Sequence, residues 1–246
     1  MSAQIPLNID DLVVSYDGRV SVVDHVTFDV HAGETFGLIG LNGQGKTTLI
    51  KTILGLREPK SGRVSVFGED QGNPAGRMRL SYLPERFDPP SFLCGIDFIR
   101  FAARFYGVSF PDSEIVTIAE DLGLDPVALP RMVQTYSKGM RQKLGLIATV
   151  MTGCDLLILD EPMSGLDPRA RVQVKTLLSR MKSQGRTIFM SSHILSDMDE
   201  ICDRVAVLHE GRLRYIGAPA GLRAHTGDAS LEKAFLSVIE EKARAV

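Results

Sequence analysis

The chain has 246 residues, which is ordinary for one α/β domain with an inserted subdomain and enough to bury a core without a disulfide or a metal. Its 28 Lys and Arg nearly balance its 30 Asp and Glu, with a formal net charge of -2 and no block of like charge, which argues against a general nucleic-acid-binding surface. Cys94, Cys154 and Cys202 form no pair at metal-ligand or redox spacing, so we expect reduced, mostly buried thiols.

The sequence predicts neither a signal peptide nor a membrane-spanning segment. Near the start, Ile5, Leu7 and Ile9 alternate with polar residues, which is the pattern of a strand rather than of a signal peptide. The longest apolar runs are short pieces such as residues 156–159, far below the roughly 18 residues that span a bilayer. We therefore expect no transmembrane helix.

Four β-rich runs, separated by Asp-Gly, Ala-Gly and Ser-Gly turn pairs, dominate the first third of the chain at residues 7–14, 20–30, 35–39 and 63–67. Runs of this kind between turn residues predict strands, and we expect a partly antiparallel β layer here. Between the third and fourth runs, an apolar-periodic stretch at residues 46–54 stops at Gly55, which predicts one short helix with a glycine cap.

A glycine-rich turn joins the third strand to this helix and matches the phosphate-loop pattern. Its glycines would let backbone N–H groups turn toward phosphate oxygens, and the helix N-terminus adds partial positive charge. Lys46 would place an ammonium near the β- and γ-phosphates, and the Thr47 hydroxyl would bind Mg²⁺. The residues predicted to bind a nucleotide here are Gly40, Asn42, Gly43, Gln44, Gly45, Lys46, Thr47 and Thr48.

The pattern becomes helical and aromatic at about residues 87–135. Phe98, Phe101, Ala102 and Phe105 stand at i, i+3, i+4 and i+7, so they share one helix face. We expect this stripe to be the core of a small helical subdomain, with a groove for a partner as the alternative, and both can hold together.

Strand and helix patterns alternate after residue 155. Strands are predicted at residues 156–159, 187–191 and 205–208, with helices at residues 169–183 and 195–202. Such alternation predicts a parallel sheet with crossover helices, and therefore an α/β fold. One further helix is predicted at residues 231–245.

Two carboxylates, Asp160 and Glu161, follow the predicted strand at residues 156–159. Ligands of α/β sheets lie beyond the carboxyl ends of the strands, so we expect both acids to face the phosphates. Asp160 suits the Mg²⁺ shell, while Glu161 can orient or deprotonate the water that attacks the γ-phosphorus. An apolar strand ending in Asp-Glu is common by itself, and the upstream phosphate loop is what favours these roles.

Residues 136–142, YSKGMRQ, resemble the signature of the ATP-binding-cassette (ABC) family, usually LSGGQ. Further motifs follow in that family's order, and the resemblance covers about residues 7–217. Ser137 can cap the helix that begins here, and the small Gly139 leaves backbone N–H groups open to an anion. The resemblance implies that Ser137 and Gly139 bind the γ-phosphate held by an opposite subunit.

Three more positions take their roles from the resemblance. Residues 164–167, SGLD, resemble the family's inter-subunit loop, which places Asp167 among the nucleotide-binding residues. His193 stands where the family has its switch histidine, which implies a catalytic role beside Lys46 and Glu161. Tyr16 resembles the aromatic residue that stacks on adenine, although a tyrosine at the end of an early strand can equally be a core or turn residue.

Two positions depart from the family pattern. Glu85 stands in the loop where the family usually has Gln, and an acid there can still bind Mg²⁺ together with Thr47 and Asp160, although it adds negative charge beside phosphates. Lys138 replaces the first Gly of the usual signature. Both changes resemble a branch of cassettes whose separate ATPase subunits serve exporters.

The resemblance implies a P-loop NTPase core with a mostly parallel sheet, an N-terminal antiparallel β layer and an inserted helical subdomain. We expect one ABC ATPase domain over residues 1–246. Its expected parts are the β layer and phosphate-loop core at 1–84, the helical subdomain with the signature at 85–152, the rest of the core at 153–217 and a helical tail at 218–246.

The implied function is an ATPase subunit that binds ATP and Mg²⁺, pairs with a second cassette as a homodimer, and drives transport, in the export direction, through an integral membrane permease. Such a subunit would lie peripherally at the cytoplasmic face of the membrane, with no nucleic-acid partner. One alternative is a cassette ATPase that acts on ribosomes or DNA, but those proteins tend to join two cassettes or to insert coiled coils. Another is a regulatory module that scarcely hydrolyses ATP, against which Glu161 and His193 argue.

Overall fold

Two β-sheets and the surrounding helices make up the computed structural model, which describes residues 4–240. The strands are β1 (Leu7–Ser15), β2 (Ser21–Val30), β3 (Thr35–Ile39), β4 (Ser61–Val66), β5 (Glu69–Asp70), β6 (Leu80–Leu83), β7 (Leu156–Asp160), β8 (Thr187–Ser192), β9 (Arg204–His209) and β10 (Arg212–Gly217). The α-helices are α1 (Lys46–Ile53), α2 (Pro74–Arg77), α3 (Gly95–Phe105), α4 (Asp112–Asp121), α5 (Lys138–Val150), α6 (Pro168–Ser183), α7 (Leu195–Ile201), α8 (Pro219–Thr226) and α9 (Leu231–Glu240).

The first sheet is antiparallel, with the strand order β2-β1-β4-β5. Alternation along β1 buries Leu7, Ile9 and Val14 on the inner face of the sheet. This sheet confirms the predicted antiparallel layer. The run predicted at residues 35–39 is also a strand, but it belongs to the second sheet.

The second sheet has the order β10-β9-β3-β8-β7-β6, and its neighbours are parallel except for β9 and β10. Every residue of β3, β7 and β8 is buried, as expected for parallel strands covered on both faces. The crossover helices α6 and α7 connect these strands, so the predicted α/β fold is confirmed. Because β3, β7 and β8 run in the same direction, their carboxyl ends meet at one edge of the sheet.

Successive residues of the central strands face opposite sides of this sheet. Leu157 and Leu159 of β7 pack into the apolar cluster beneath the helices. Leu156 and Ile158 face the cluster that lies between the two sheets. In the second cluster the rings of Phe28, Phe36 and Phe189 stack, with centroids 5.1 to 6.1 Å apart. These rings join the antiparallel layer to the centre of the parallel sheet.

The aromatic stripe of α3 forms only part of the predicted core, because Phe98 and Ala102 are partly buried and pack against the apolar cluster beneath the helices. Phe101 and Phe105 are 63% and 71% exposed, so the prediction is wrong for these two residues. The neighbouring stripe of the helix, with Ile99 and Ala103, is the buried one. Phe101 and Phe105 follow the same helical period as that stripe but are turned away from α5, and periodicity alone does not tell which stripe packs inward.

Several elements carry too little pattern to be predicted. No element is predicted at residues 80–83, but they form the edge strand β6, which has only four residues and shows no apolar alternation. Helices α1, α5, α6 and α7 confirm their predictions, and α9 confirms the C-terminal helix as far as Glu240. Residues 241–245 of that prediction lie outside the described residues.

Two further observations bear on the expectations from composition. Cys154 and Cys202 are buried and Cys94 is partly buried, and all three are free thiols, as expected. Between residues 4 and 240, none of the helices combines the length and the apolar character needed to cross a membrane. The division into four parts stays a prediction.

The stack of three rings generates a stability prediction. We expect Phe189→Ala to lower the free energy of unfolding by about 3–5 kcal/mol, because the fully buried ring leaves a cavity between the two sheets. Phe105→Ala, which removes the same side chain from the exposed face of α3, should change it by less than about 0.5 kcal/mol. Urea unfolding of both variants would measure this, and equal losses would contradict the assignment of the core.

Candidate active site

The phosphate loop leaves β3 at the edge where the central strands end, and it leads directly into α1. Gly45 has φ 101°, and a Cβ atom there would lie 2.6 Å from the carbonyl oxygen of Val22. A Cβ atom on Gly40 would lie 2.6 Å from the carbonyl oxygen of Leu208. Neither position accepts a side chain without movement of the backbone. The glycines of the pattern are therefore required by the path of the chain.

Lys46, the first residue of α1, has a buried ammonium group at the centre of this loop. Its Nζ donates hydrogen bonds to the carbonyl oxygens of Gly40 at 2.6 Å and Leu41 at 3.2 Å, and it lies 4.0 Å from Oε1 of Glu161. Burial lowers the pKa of Lys46, and the nearby carboxylates, Glu161 first, oppose this shift. The loop thus holds a cation beside the backbone N–H groups of a helix N-terminus.

Asp160 ends β7 and is held by two hydroxyl groups. Its Oδ1 accepts a hydrogen bond from Oγ of Ser191 at 2.5 Å, and its Oδ2 accepts one from Oγ1 of Thr47 at 3.3 Å. Burial raises the pKa of Asp160, and the hydrogen bond from Ser191 opposes this only in part. The carboxylate is therefore poorly solvated and faces the first turn of α1.

Thr47 and Asp160 are neighbouring hard oxygen ligands, and their chemistry fits Mg²⁺. Over residues 4–240, no group of three or more His, Cys, Asp and Glu side chains could hold a metal ion. Thr47 and Asp160 would supply two of the roughly six oxygen ligands of an octahedral Mg²⁺ ion. Mg²⁺ is usually bound in this way, by one or two protein oxygens together with substrate phosphates and water.

Glu161 is buried and lies just beyond the end of β7, with a positive φ of 51° that is unusual for a non-glycine residue. Its backbone N–H donates to Oγ of Ser191 at 3.1 Å. Its Oε2 accepts a hydrogen bond at 2.8 Å from Nδ1 of His193, a half-exposed side chain that follows β8. The backbone N–H of His193 lies 3.4 Å from the same oxygen. Glu161 is thereby fixed, with Oε1 directed toward Lys46.

A cavity of about 440 Å³ lies between these groups, a volume typical of small-molecule sites. Tyr16 reaches it from the end of β1, where its hydroxyl lies 3.0 Å from Oγ1 of Thr48. Glu85, an exposed residue after β6, also borders it. The lining consists of Tyr16, Val22, Leu41, Asn42, Gly43, Gly45, Lys46, Thr47, Thr48, Glu85, Asp160, Glu161 and His193.

The structure therefore brings together most of the predicted site, but not all of it. Within the described chain, the predicted residues that do not line the cavity are Gly40, Gln44, Ser137, Gly139 and Asp167. The side chain of Gln44 instead accepts a hydrogen bond from the backbone N–H of Glu210, in the turn between β9 and β10. The roles of these five predicted residues in binding a nucleotide stay predictions.

The signature residue Ser137 and the loop residue Asp167 are helix caps. Oγ of Ser137 accepts from the backbone N–H of Met140 at 3.2 Å, so the predicted cap of α5 is confirmed. Oδ1 of Asp167 accepts from the backbone N–H of Ala170 at 2.9 Å at the start of α6. Lys138 lies against the loop that contains Gly165 and Asp167. The Nζ atom of Lys138 is 3.4 Å from the position that a Cβ atom on Gly165 would take. The two motifs therefore meet within one chain.

The sequence did not predict two residues of the site, Ser191 and Arg57. Ser191 supports both Asp160 and Glu161, but a serine at the end of a buried strand gives no signal of that contact. Arg57 lies behind the ring of Tyr16, with its Cζ 3.7 Å from the ring centroid. No pattern in the sequence connects Arg57 with Tyr16, because only the fold brings these two residues together.

A phosphate loop after a central parallel strand, with a buried Asp-Glu pair at the end of a nearby strand, defines a P-loop nucleotide-binding fold. The chain belongs to the ABC transporter family, because that family's model matches residues 23–164, more than half of its length. The resemblance to this family is thereby confirmed, while the roles of the single motif residues stay predictions.

Similar proteins carry names from the same family. The chain is 37% identical, over 82% of its length, to an uncharacterized ABC transporter ATP-binding protein of Synechocystis sp., of which it spans 58%. It is 34% identical, over 88% of its length, to the Nod factor export ATP-binding protein I of Burkholderia thailandensis, of which it spans 72%. A solved structure of the ATP binding subunit of an ABC transporter is 34% identical and superposes with a TM-score of 0.87, covering 94% of this chain and 98% of that one.

The chain spans about half the length of several of the curated relatives that it matches. The names of these relatives refer to ATP binding and transport, and none of them refers to a ribosome or to DNA.

The buried carboxylate generates a prediction on stability and pH. We expect Asp160→Asn to stabilise the nucleotide-free protein at pH 7 by roughly 0.5–2 kcal/mol, because the amide keeps the shape without the buried charge. The pKa of native Asp160 lies above its ordinary value of 3.8, so the destabilisation is complete above the native pKa and absent below 3.8. The gain should therefore shrink as the pH falls through the native pKa, in urea unfolding at several pH values. Asp10→Asn, at an exposed position of β1, is the control, and a gain independent of pH would contradict this reasoning.

Proposed function

We propose that this chain binds MgATP in the cavity at the end of the parallel sheet, hydrolyses it, and thereby drives a membrane transporter. Membership of the ABC transporter family and the names of its relatives support this proposal. The lining of the cavity supports it as well, because it combines an aromatic ring, a glycine-rich loop with a buried cation, and two acids at the end of one strand.

The nucleotide would lie along the phosphate loop. Backbone N–H groups around Gly43 and Gly45 bind the phosphate oxygens, and the ammonium of Lys46 neutralises the β- and γ-phosphates. Tyr16 stacks on the adenine ring, which its exposed position at the edge of the cavity allows. The same loop then determines where the γ-phosphorus lies relative to the end of β7.

Mg²⁺ would be held by Thr47 and Asp160, with Glu85 as a third oxygen donor from the loop after β6. When bound, the ion neutralises developing charge on the phosphate oxygens. The short separation of the Thr47 hydroxyl and the Asp160 carboxylate supports their shared role. Glu85 is exposed and can move toward the ion, although a Gln at this position would bring less negative charge to the phosphates.

The observation that carries the proposal of hydrolysis is the hydrogen bond between Glu161 and His193, beside the buried Lys46. Oε2 of Glu161 is engaged by His193, which leaves Oε1 to orient the attacking water and accept its proton. His193 holds the carboxylate in position and responds to the γ-phosphate. The side chain of Glu161 thus lies between Lys46 and His193 at the end of the strand.

A second cassette would complete each site. Ser137, Gly139 and Asp167 lie outside the lining of the cavity in the described chain, but they stand at the starts of α5 and α6, where backbone N–H groups can meet an anion. In a homodimer, Ser137 and Gly139 of one copy would bind the γ-phosphate on the other. Closure of this dimer on ATP would be the motion that does work.

A membrane permease is the proposed partner for that motion. Phe101 and Phe105 are exposed one helical turn apart on α3, and Phe92 before the helix is exposed as well, so this part of the chain offers apolar side chains for contact with another protein. The chain would then lie peripherally at the cytoplasmic face of the membrane, without a nucleic-acid partner. Export is the proposed direction, and the name of the Burkholderia relative supports it.

Substitution of the proposed base tests hydrolysis directly. Glu161→Gln should keep the affinity for MgATP and reduce turnover by about 10²–10⁴-fold, because an amide cannot accept the proton of the attacking water. Titration calorimetry would measure the affinity for MgATP, and phosphate release would measure turnover, both on the same preparation. Glu232→Gln, at an exposed position of α9, should leave both unchanged. Normal turnover by a dimeric Glu161→Gln protein would refute the role of Glu161.

Mixed dimers test the shared sites. Lys46→Ala and Ser137→Ala should each abolish turnover, but equal mixing should restore roughly a quarter of it, since half of the dimers are mixed and each has one intact site. Mixing Lys46→Ala with Glu161→Gln should restore nothing, because both changes affect the half-site of the same subunit. Phosphate release from re-equilibrated mixtures measures this. No recovery with Ser137→Ala would contradict the composite site.

A further inference from the structure

Tyr16 lies at the edge of the cavity and is 59% exposed, yet its ring is held at two points. The hydroxyl lies 3.0 Å from Oγ1 of Thr48, in the first turn of α1. The guanidinium of Arg57 covers one face of the ring, with its Cζ 3.7 Å from the centroid. The ring is thus restrained at its hydroxyl and on one face, while it still lines the cavity.

Arg57 is itself anchored. The residue is partly buried, it follows the end of α1, and its Nη1 donates a hydrogen bond at 3.4 Å to the carbonyl oxygen of Ser15, the residue before Tyr16. The guanidinium therefore holds both the backbone and the ring at the end of β1. Thr48 and Arg57 belong to α1 and the turn after it, so the position of the ring is tied to the helix that begins with the phosphate loop.

Guanidinium groups also lie on aromatic rings elsewhere, as with Arg79 and Phe67 at 3.6 Å. Phe67 is buried, and within the described chain it is not part of the cavity lining. Tyr16 differs, because a ligand in the cavity can reach its ring. The contact of Arg57 with Tyr16 therefore lies where it can affect a ligand in the cavity.

We propose that Arg57 is a positioning residue that fixes the Tyr16 ring so that its free face stacks on the purine base of ATP. This inference rests on the proposed binding of ATP in the cavity. A ring that is already immobilised loses less freedom when a base stacks on it, and a cation behind the ring favours its fixed orientation. The base would then lie on one face of the Tyr16 ring and the guanidinium of Arg57 on the other.

Binding calorimetry with two magnesium complexes tests the inference. Arg57→Ala should weaken the affinity for MgATP by about 2- to 5-fold, the range expected of one cation–π contact at a partly exposed site. Its affinity for magnesium tripolyphosphate, which has no base, should stay unchanged. Arg57→Lys keeps the charge but loses the planar group, and it should give a smaller loss. Arg79→Ala, which removes the comparable contact on Phe67, should alter neither affinity.

Comparison with Tyr16→Ala separates this inference from the proposed function. If Arg57 acts through the ring, Arg57→Ala should cause no further loss of MgATP affinity in the Tyr16→Ala protein. An additional loss there, an equal loss for tripolyphosphate, or no loss in the single variant would overturn the role of Arg57. If Tyr16→Ala itself leaves MgATP affinity unchanged, the placement of adenine in the proposed function is wrong. Failure of the wild-type chain to bind MgATP would refute the proposed function as a whole.

A ligand-free measurement tests the restraint by itself. The chain contains no Trp, so Tyr16→Trp introduces a single tryptophan at the edge of the cavity. Adding Arg57→Ala to that variant should lower the fluorescence anisotropy of the indole and increase its quenching by acrylamide, because the ring loses its support. Addition of Arg79→Ala instead should change neither signal. An indole equally mobile with and without Arg57 would overturn the inference.

Discussion

The parallel pairing of β3, β8 and β7 is the constraint on which the candidate site depends. Its register sets Asp160 opposite Ser191, at the edge where the phosphate loop leaves β3. One hydroxyl group then binds the carboxylate of Asp160 and accepts from the backbone of Glu161. A shift of one residue would turn each side chain of β8 to the other face of the sheet and separate these groups. The stacked rings beneath the sheet help to fix that register.

Burial disfavours the charged forms of the titratable side chains at this edge of the sheet. It raises the pKa of Asp160 and lowers that of Lys46, and Glu161 has an unfavourable positive φ. Perturbed titrating groups and backbone strain are more common at functional sites than in purely structural contacts. A phosphate chain with its metal ion would supply counter-charges for both the lysine and the acids. Binding of such a ligand would therefore offset part of the cost of burying the charges of Lys46 and Asp160.

The sequence predicted those parts of the structure that depend on local pattern. The phosphate loop, the Asp-Glu pair and the position of His193 all follow strands whose apolar runs are visible in the chain. Contacts between distant segments were not predictable. The contacts of Ser191 with Asp160 and of Arg57 with Tyr16 are of this kind. The buried face of α3 was predicted only in part, because two adjacent stripes are both apolar and only the position of α5 decides between them. The four-residue strand β6 is too short for a period to appear.

Helix α1 connects the two ends of the candidate site. Lys46 stands at its first position, Thr48 contacts the hydroxyl of Tyr16, and Arg57 follows its C-terminal end. A rigid helix with these contacts keeps the aromatic ring at a constant distance from the phosphate loop, so a nucleotide of one length fits both. Ser137 and Asp167 start other helices, and among residues 4–240 no side-chain hydrogen bond joins either of them to α1. In the proposed function, the residues that would bind the base and the phosphates are therefore linked through one helix, whereas Ser137 and Asp167 would come from a second chain.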